Sequence, residues 1–134
     1  MPARLKIEYL ASAQDDLEDV FHYIAKDNRD AAIQILSEFD REITRLEENP
    51  LLGSVPTRMP QLEKLGWRFL DVKGYLVFYI IESDKIEIRN IITGWMTWAK
   101  WQNKAIKLNL SPKPLLFHQD LMELLKQKIT SLKI

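Results

Sequence analysis

The chain has 134 residues, no cysteine, and 19 Lys/Arg balanced by 19 Asp/Glu. That length suits one domain with a real core rather than two, and the lack of cysteine excludes disulfide and thiolate chemistry, which fits a reducing cytoplasm. No apolar run approaches the ~20 residues that cross a bilayer, and the charged N-terminus lacks a signal-peptide apolar segment, so a cytoplasmic protein with no membrane partner is expected.

In chain order, Arg4 to Tyr9 alternates, with Leu5, Ile7 and Tyr9 on one side, which predicts a strand with one wet face. Ser12 followed by Asp15 approximates a capping box. Asp15, Asp16 and Glu18 suit the positive end of a helix whose stripe is Leu17, Val20, Phe21 and Ile24, ending near Ala25. Asp27-Asn28-Arg29 predicts a short turn. A second helix follows from about Asp30 to Glu48, with Ala32, Ile35, Leu36, Phe39, Ile43 and Leu46 on one face, and Asn49-Pro50 stops it. The two helices predict an antiparallel hairpin.

Pro50, Gly53, Pro56 and Pro60 mark residues 51–65 as an irregular crossing loop. Three strands should follow. Trp67 to Val72 alternates, Lys73-Gly74 supplies a tight turn, and Tyr75 to Ile81 is apolar enough for a central strand covered on both faces. Ser83-Asp84 turns again into Lys85 to Ile92. The fold class is therefore α+β, β-α-α-β-β-β, with a helical hairpin packed on a small antiparallel sheet. Trp95, Trp98 and Trp101, spaced by three and followed by Lys104 and Lys107, suit a short basic, aromatic helix and a partner contact. After Ser111-Pro112-Lys113-Pro114, a last helix over Phe117 to Leu132 would present Leu121, Leu124, Leu125 and Ile129. That face must bury on the domain body, in a homodimer or in a bound partner. The organisation expected is a domain over residues 1–97 and a basic, aromatic helical C-terminal extension over 98–134.

The zero net charge hides a gradient. Residues 1–57 carry six Lys/Arg against twelve Asp/Glu (−6), residues 58–97 six against five (+1), and residues 98–134 seven against two (+5). The lysine-rich end could serve as an interaction tail or fold back on the acidic helices. His22 and His118 stand far apart, a poor arrangement for zinc or a histidine relay, and no metal or cofactor is expected.

Several segments carry a resemblance. They are Ala13 to Ile24, Ala31-Ala32, Asn49-Pro50 with Gly53, Gly66-Trp67-Arg68-Phe69-Leu70-Asp71-Val72, and above all Lys73-Gly74-Tyr75-Leu76-Val77-Phe78-Tyr79. In this order and spacing, residues 4–97 resemble the RelE/ParE superfamily of toxins from type II toxin–antitoxin operons, often labelled plasmid stabilisation proteins. The Gly-Tyr-apolar-apolar-Phe-Tyr strand looks like the ParE branch. The resemblance implies a cognate antitoxin partner and two targets for the two branches: DNA gyrase, a protein bound and poisoned, or messenger RNA cut in the ribosome.

Cleavage by 2′-hydroxyl attack needs a base, an acid and cations around phosphorus. The candidates for such work here are Arg68, Arg89, Tyr75 and Tyr79, none of them decisive as a catalytic residue. Arg58, Lys64, Arg68 and Arg89 are candidates for target binding. Many ParE-like relatives carry His-Gly-X-Arg-Asp at the end of the last strand, where this chain has Thr93, Gly94, Met96 and Thr97 around Trp95; only Gly94 matches. That departure removes a proton-transfer group and a cation. The neutral charge balance also fits an RNA-gripping protein poorly. The expectation is therefore a ParE-like, protein-binding toxin rather than an enzyme, with a RelE-like ribosome-dependent endoribonuclease, or a decayed toxin retaining only partner binding, as the alternatives.

Overall fold

The computed structural model describes residues 4–93 and 114–130. Strand β1 (Lys6–Leu10) leads into α1 (Ala11–Asp27) and α2 (Arg29–Thr44), which a 3-10 turn extends to Glu47. A short helix α3 (Pro60–Lys64) precedes β2 (Arg68–Val72), β3 (Tyr75–Glu82) and β4 (Lys85–Thr93). After residues 94–113 come β5 (Pro114–Phe117) and α4 (His118–Thr130). The α+β expectation and the helical hairpin hold, and the hairpin turn contracts to one residue. Asn28 is extended (φ −155), its N–H caps α1 on the Ile24 carbonyl, and its Oδ1 accepts the Ala31 N–H of α2 at 3.1 Å.

The sheet runs in the order β2-β3-β4-β1-β5. β2–β3–β4 is the expected antiparallel meander, while β1 lies parallel to β4, pairing Ile7 with Ile86 and Tyr9 with Ile88. The helical hairpin serves as the crossover that a parallel pair requires. The β2–β3 turn places both Lys73 (φ 54) and Gly74 (φ 88) in the left-handed region, the primed turn that matches strand twist, and Asp71 Oδ1 accepts the Gly74 N–H at 2.9 Å.

Side-chain alternation splits the sheet between two cores. Ile7, Tyr9, Leu70, Val72, Val77, Tyr79, Ile86, Ile88 and Ile91 pack under Leu17, Phe21, Leu36, Phe39 and Ile43 of the hairpin. Phe21 and Phe39 meet edge to face, with ring centroids 5.5 Å apart, where the helices cross. On the opposite face Leu76, Phe78, Ile80 and Ile92 form a second core with Met59, Leu62 and Trp67. The presumed irregular loop thus contains α3, opened by Pro60 at its first position, and Leu62 of that helix is what covers the back of β3.

Two local expectations are corrected. Ser12 is not a cap: α1 begins at Ala11 with no side-chain cap and no acidic residue in its first turn. Ser12 and Asp16, one turn apart, instead face β4. There Arg89 is an inserted residue, since Phe78 pairs with Asn90 and Tyr79 with Ile88. Ser12 Oγ donates to the Arg89 carbonyl at 3.1 Å, and Asp16 Oδ2 accepts from the Ile91 N–H at 3.0 Å and from Asn90 Nδ2 at 2.5 Å. The inserted residue switches the inward face of β4 from Ile88 to Ile91, and the first turns of α1 bond the bulge's backbone groups.

Residues 114–130 join the same core. β5 pairs antiparallel with β1, and α4 packs on α1 and α2 through Leu121, Met122, Leu125 and Ile129, with Met122 buried where Leu124 was expected. The run Pro114–Phe117 is strand rather than loop and helix start. Among the described residues no helix is long and apolar enough to cross a membrane.

Candidate functional site

The meander brings Arg68 and Tyr79 together as a cross-strand pair on the helix-side face. Neither points at open solvent. Tyr79 is buried; its hydroxyl donates to the Pro50 carbonyl (2.7 Å) and accepts the Gly53 N–H (2.9 Å). Arg68 Nη2 donates to the carbonyls of Gly53 (2.9 Å) and Leu51 (3.2 Å). Together they staple residues 50–53 to the sheet, next to the bridge between Ser54 and Phe69. Burial raises the Tyr79 hydroxyl above its ordinary pKa, outweighing the Gly53 N–H and the Arg68 guanidinium, which favour the phenolate. A phenol held that way is a poor general base near neutrality.

Tyr75, on the same face, is partly buried and packs its ring 5.8 Å from that of Phe39. Arg89 lies on the opposite face. It is 3% exposed, with Nη2 2.7 Å from Glu87 Oε1, itself only 5% exposed, and with its guanidinium 5.9 Å from the Trp67 ring centroid. Lys85 extends this row, at 3.4 Å from Glu87 and 3.3 Å from Glu8 of β1.

Arg58 and Lys64 are exposed, on the segment that crosses from α2 to β2. Leu51, Val55 and Leu65 of that segment are also exposed, although each is large and apolar. Residues 51–65 therefore combine cations with apolar side chains that a monomer leaves in water, the composition of a contact surface. The apolar members were not singled out from sequence; the available signal was three aliphatic residues inside a stretch rich in proline. Trp95, Trp98 and Trp101 lie outside the described residues, as do Gly94, Met96 and Thr97.

A second polar group was missed altogether. His118, 1% exposed, joins Tyr9 to Asp40: its Nδ1 is 2.9 Å from the Tyr9 hydroxyl and its Nε2 is 2.9 Å from Asp40 Oδ1. The imidazole also stacks on the Tyr9 ring, with centroids 5.7 Å apart and planes 12° apart. No short spacing could have revealed this chain, because its members come from β1, α2 and α4. Tyr9 is wholly buried, so the chain holds elements together and offers no reacting group to a substrate.

A search of curated proteins gave no match. The family model described as the ParE toxin of the type II toxin–antitoxin system, parDE, matches residues 7–98, spanning β1 through β4. That match covers more than half of the chain and all of the meander and hairpin described above. The chain belongs to the ParE toxin family of type II toxin–antitoxin systems.

Proposed function

We propose that this toxin acts by binding a protein target, DNA gyrase, through the exposed crossing segment 51–65, and that a cognate antitoxin neutralises it. The observation that carries this reading is the occupation of the candidate catalytic side chains. Arg68 and Tyr79 are spent on the carbonyls of residues 50–53, Tyr75 on Phe39, and Arg89 on Glu87 and Trp67. Bond cleavage would require some of these groups to reach a substrate phosphate, whereas adhesion requires only an exposed, partly apolar and cationic surface. Arg58 and Lys64, flanked by Leu51, Val55 and Leu65, supply such a surface. The chain's overall neutrality favours a protein over a nucleic-acid target, since phosphate neutralisation supplies much of the affinity in the latter case.

The direct test is supercoiling by purified gyrase in the presence of the purified protein. Inhibition that rises with toxin concentration, and that added antitoxin reverses, is the expected result. Unchanged supercoiling at micromolar excess would reject gyrase as the target.

A further inference from the structure

We propose that residues 114–130 form a latch, a strand–helix arm docked on the family domain through the Tyr9–His118–Asp40 chain and released as a unit, on acidification, from the β1 edge and the α1–α2 face. Three observations support this. The arm lies beyond the matched region, which ends at residue 98. It packs on β1, α1 and α2, one side of the molecule, while the second core beneath β3 is built without it. Its polar anchors differ in kind: Lys128 pairs with Glu18 at the surface (2.7 Å), a contact worth little in water, whereas His118 is buried and bonded at both ring nitrogens.

The protonation logic follows from the partners. A carboxylate only accepts, so Nε2 carries the proton toward Asp40, and Nδ1 accepts from the Tyr9 O–H. Adding a proton at Nδ1 leaves the Tyr9 hydroxyl only an accepting role toward the imidazolium, and its buried O–H loses the His118 acceptor. The groups facing His118 are Tyr9 and Lys6 of β1, Asp40 of α2 and Glu47 of the 3-10 turn, with Gln119 of its own helix; Lys6, Glu47, His118 and Gln119 line a cleft of about 330 Å³. Asp40 and Glu47 favour the imidazolium, but burial outweighs them and keeps the ring neutral. Release would uncover Phe21 of α1, beside Leu125 and Ile129, and Ile33 and Leu36 of α2, beside Met122, together with one edge of β1.

Native-state hydrogen exchange on the full chain tests this, with protection corrected for the pH dependence of intrinsic exchange. The α4 amides, and the β1 amides that face β5, should share one opening step with protection at least about tenfold below that of β3 and β4. That gap should widen between pH 7 and pH 5, and in His118→Gln and Asp40→Ala at pH 7. Equal protection of arm and sheet would overturn the proposal, as would a gap that neither pH nor either variant changes. Loss of sheet protection together with the arm in His118→Gln would also overturn it, because the chain would then hold the whole fold rather than a separable arm.

Discussion

Replacing Gly53 by alanine probes the staple at the edge of the proposed contact surface. A Cβ at this position would lie 2.6 Å from the Tyr79 hydroxyl oxygen, 2.7 Å from the Phe69 carbonyl oxygen and 2.8 Å from Tyr79 Cε1. Real Cβ atoms do not approach that closely, and two of the three obstacles resist displacement: Phe69 is backbone in a paired strand, and the Tyr79 ring is fixed in the core. The clash must therefore be relieved by moving residues 50–54 off the sheet. That weakens the bonds from Tyr79 to Pro50 and from Gly53 to Tyr79, at about 0.5 kcal/mol each, and adds overpacking strain of about 1–3 kcal/mol.

A loss of roughly 2–4 kcal/mol follows for Gly53→Ala. In urea, with a slope of about 2 kcal/mol per molar for a chain of this size, the midpoint should fall by roughly 1–2 M at unchanged slope. Tyr79→Phe alone should cost about 1–3 kcal/mol, because it strands the buried Gly53 N–H. The double variant should cost less than the sum of the two, since removing the hydroxyl takes away the nearest obstacle to the new methyl. A Gly53→Ala protein within about 0.5 kcal/mol of the parent, or strict additivity with Tyr79→Phe, would refute this account of the staple.

Asp16→Ala should destabilise by about 2–3 kcal/mol in urea unfolding, because the Ile91 N–H and the Asn90 side chain beside the bulge lose their common acceptor; Asp16→Asn should recover part of that. Stability should fall as pH drops below about 6.5, the ordinary histidine value, because burial lowers the His118 pKa in the fold and the unfolded chain then binds more protons. The decline should level off once pH is below the folded-state pKa, and unfolding of His118→Gln followed against pH should lack that part of the slope. Arg58→Glu and Lys64→Glu should leave the urea midpoint nearly unchanged, as both positions are exposed, while weakening gyrase inhibition by at least about tenfold in the supercoiling assay.

Much of the fold was legible because its signals are local. The stripe from Ala32 to Leu46 has helical period, the apolar run from Tyr75 to Ile80 has no wet face, and Lys73-Gly74 marks its own turn. Tyr75 and Tyr79 fall on one face of β3, as their spacing requires. The candidate site was less legible. Arg68 and Arg89 read alike in sequence, as cations on strands beside the central one, yet one grips loop carbonyls and the other is buried against Glu87 and Trp67. The difference comes from strand phase: Arg68 pairs with Tyr79 and shares the inward face of Leu70 and Val72, whereas Arg89 is one step out of phase with the inward Ile86 and Ile88.

By itself, the sequence determined the first strand, the helical hairpin and the three-strand meander and which of their faces are apolar, since those patterns repeat within a few residues. Only the tertiary structure decided that β1 inserts parallel to β4, that α3 seals the back of the sheet, and that His118 meets partners 109 and 78 residues away. Pairing and register across such separations depend on how whole faces fit together. A residue's own neighbours do not encode that fit.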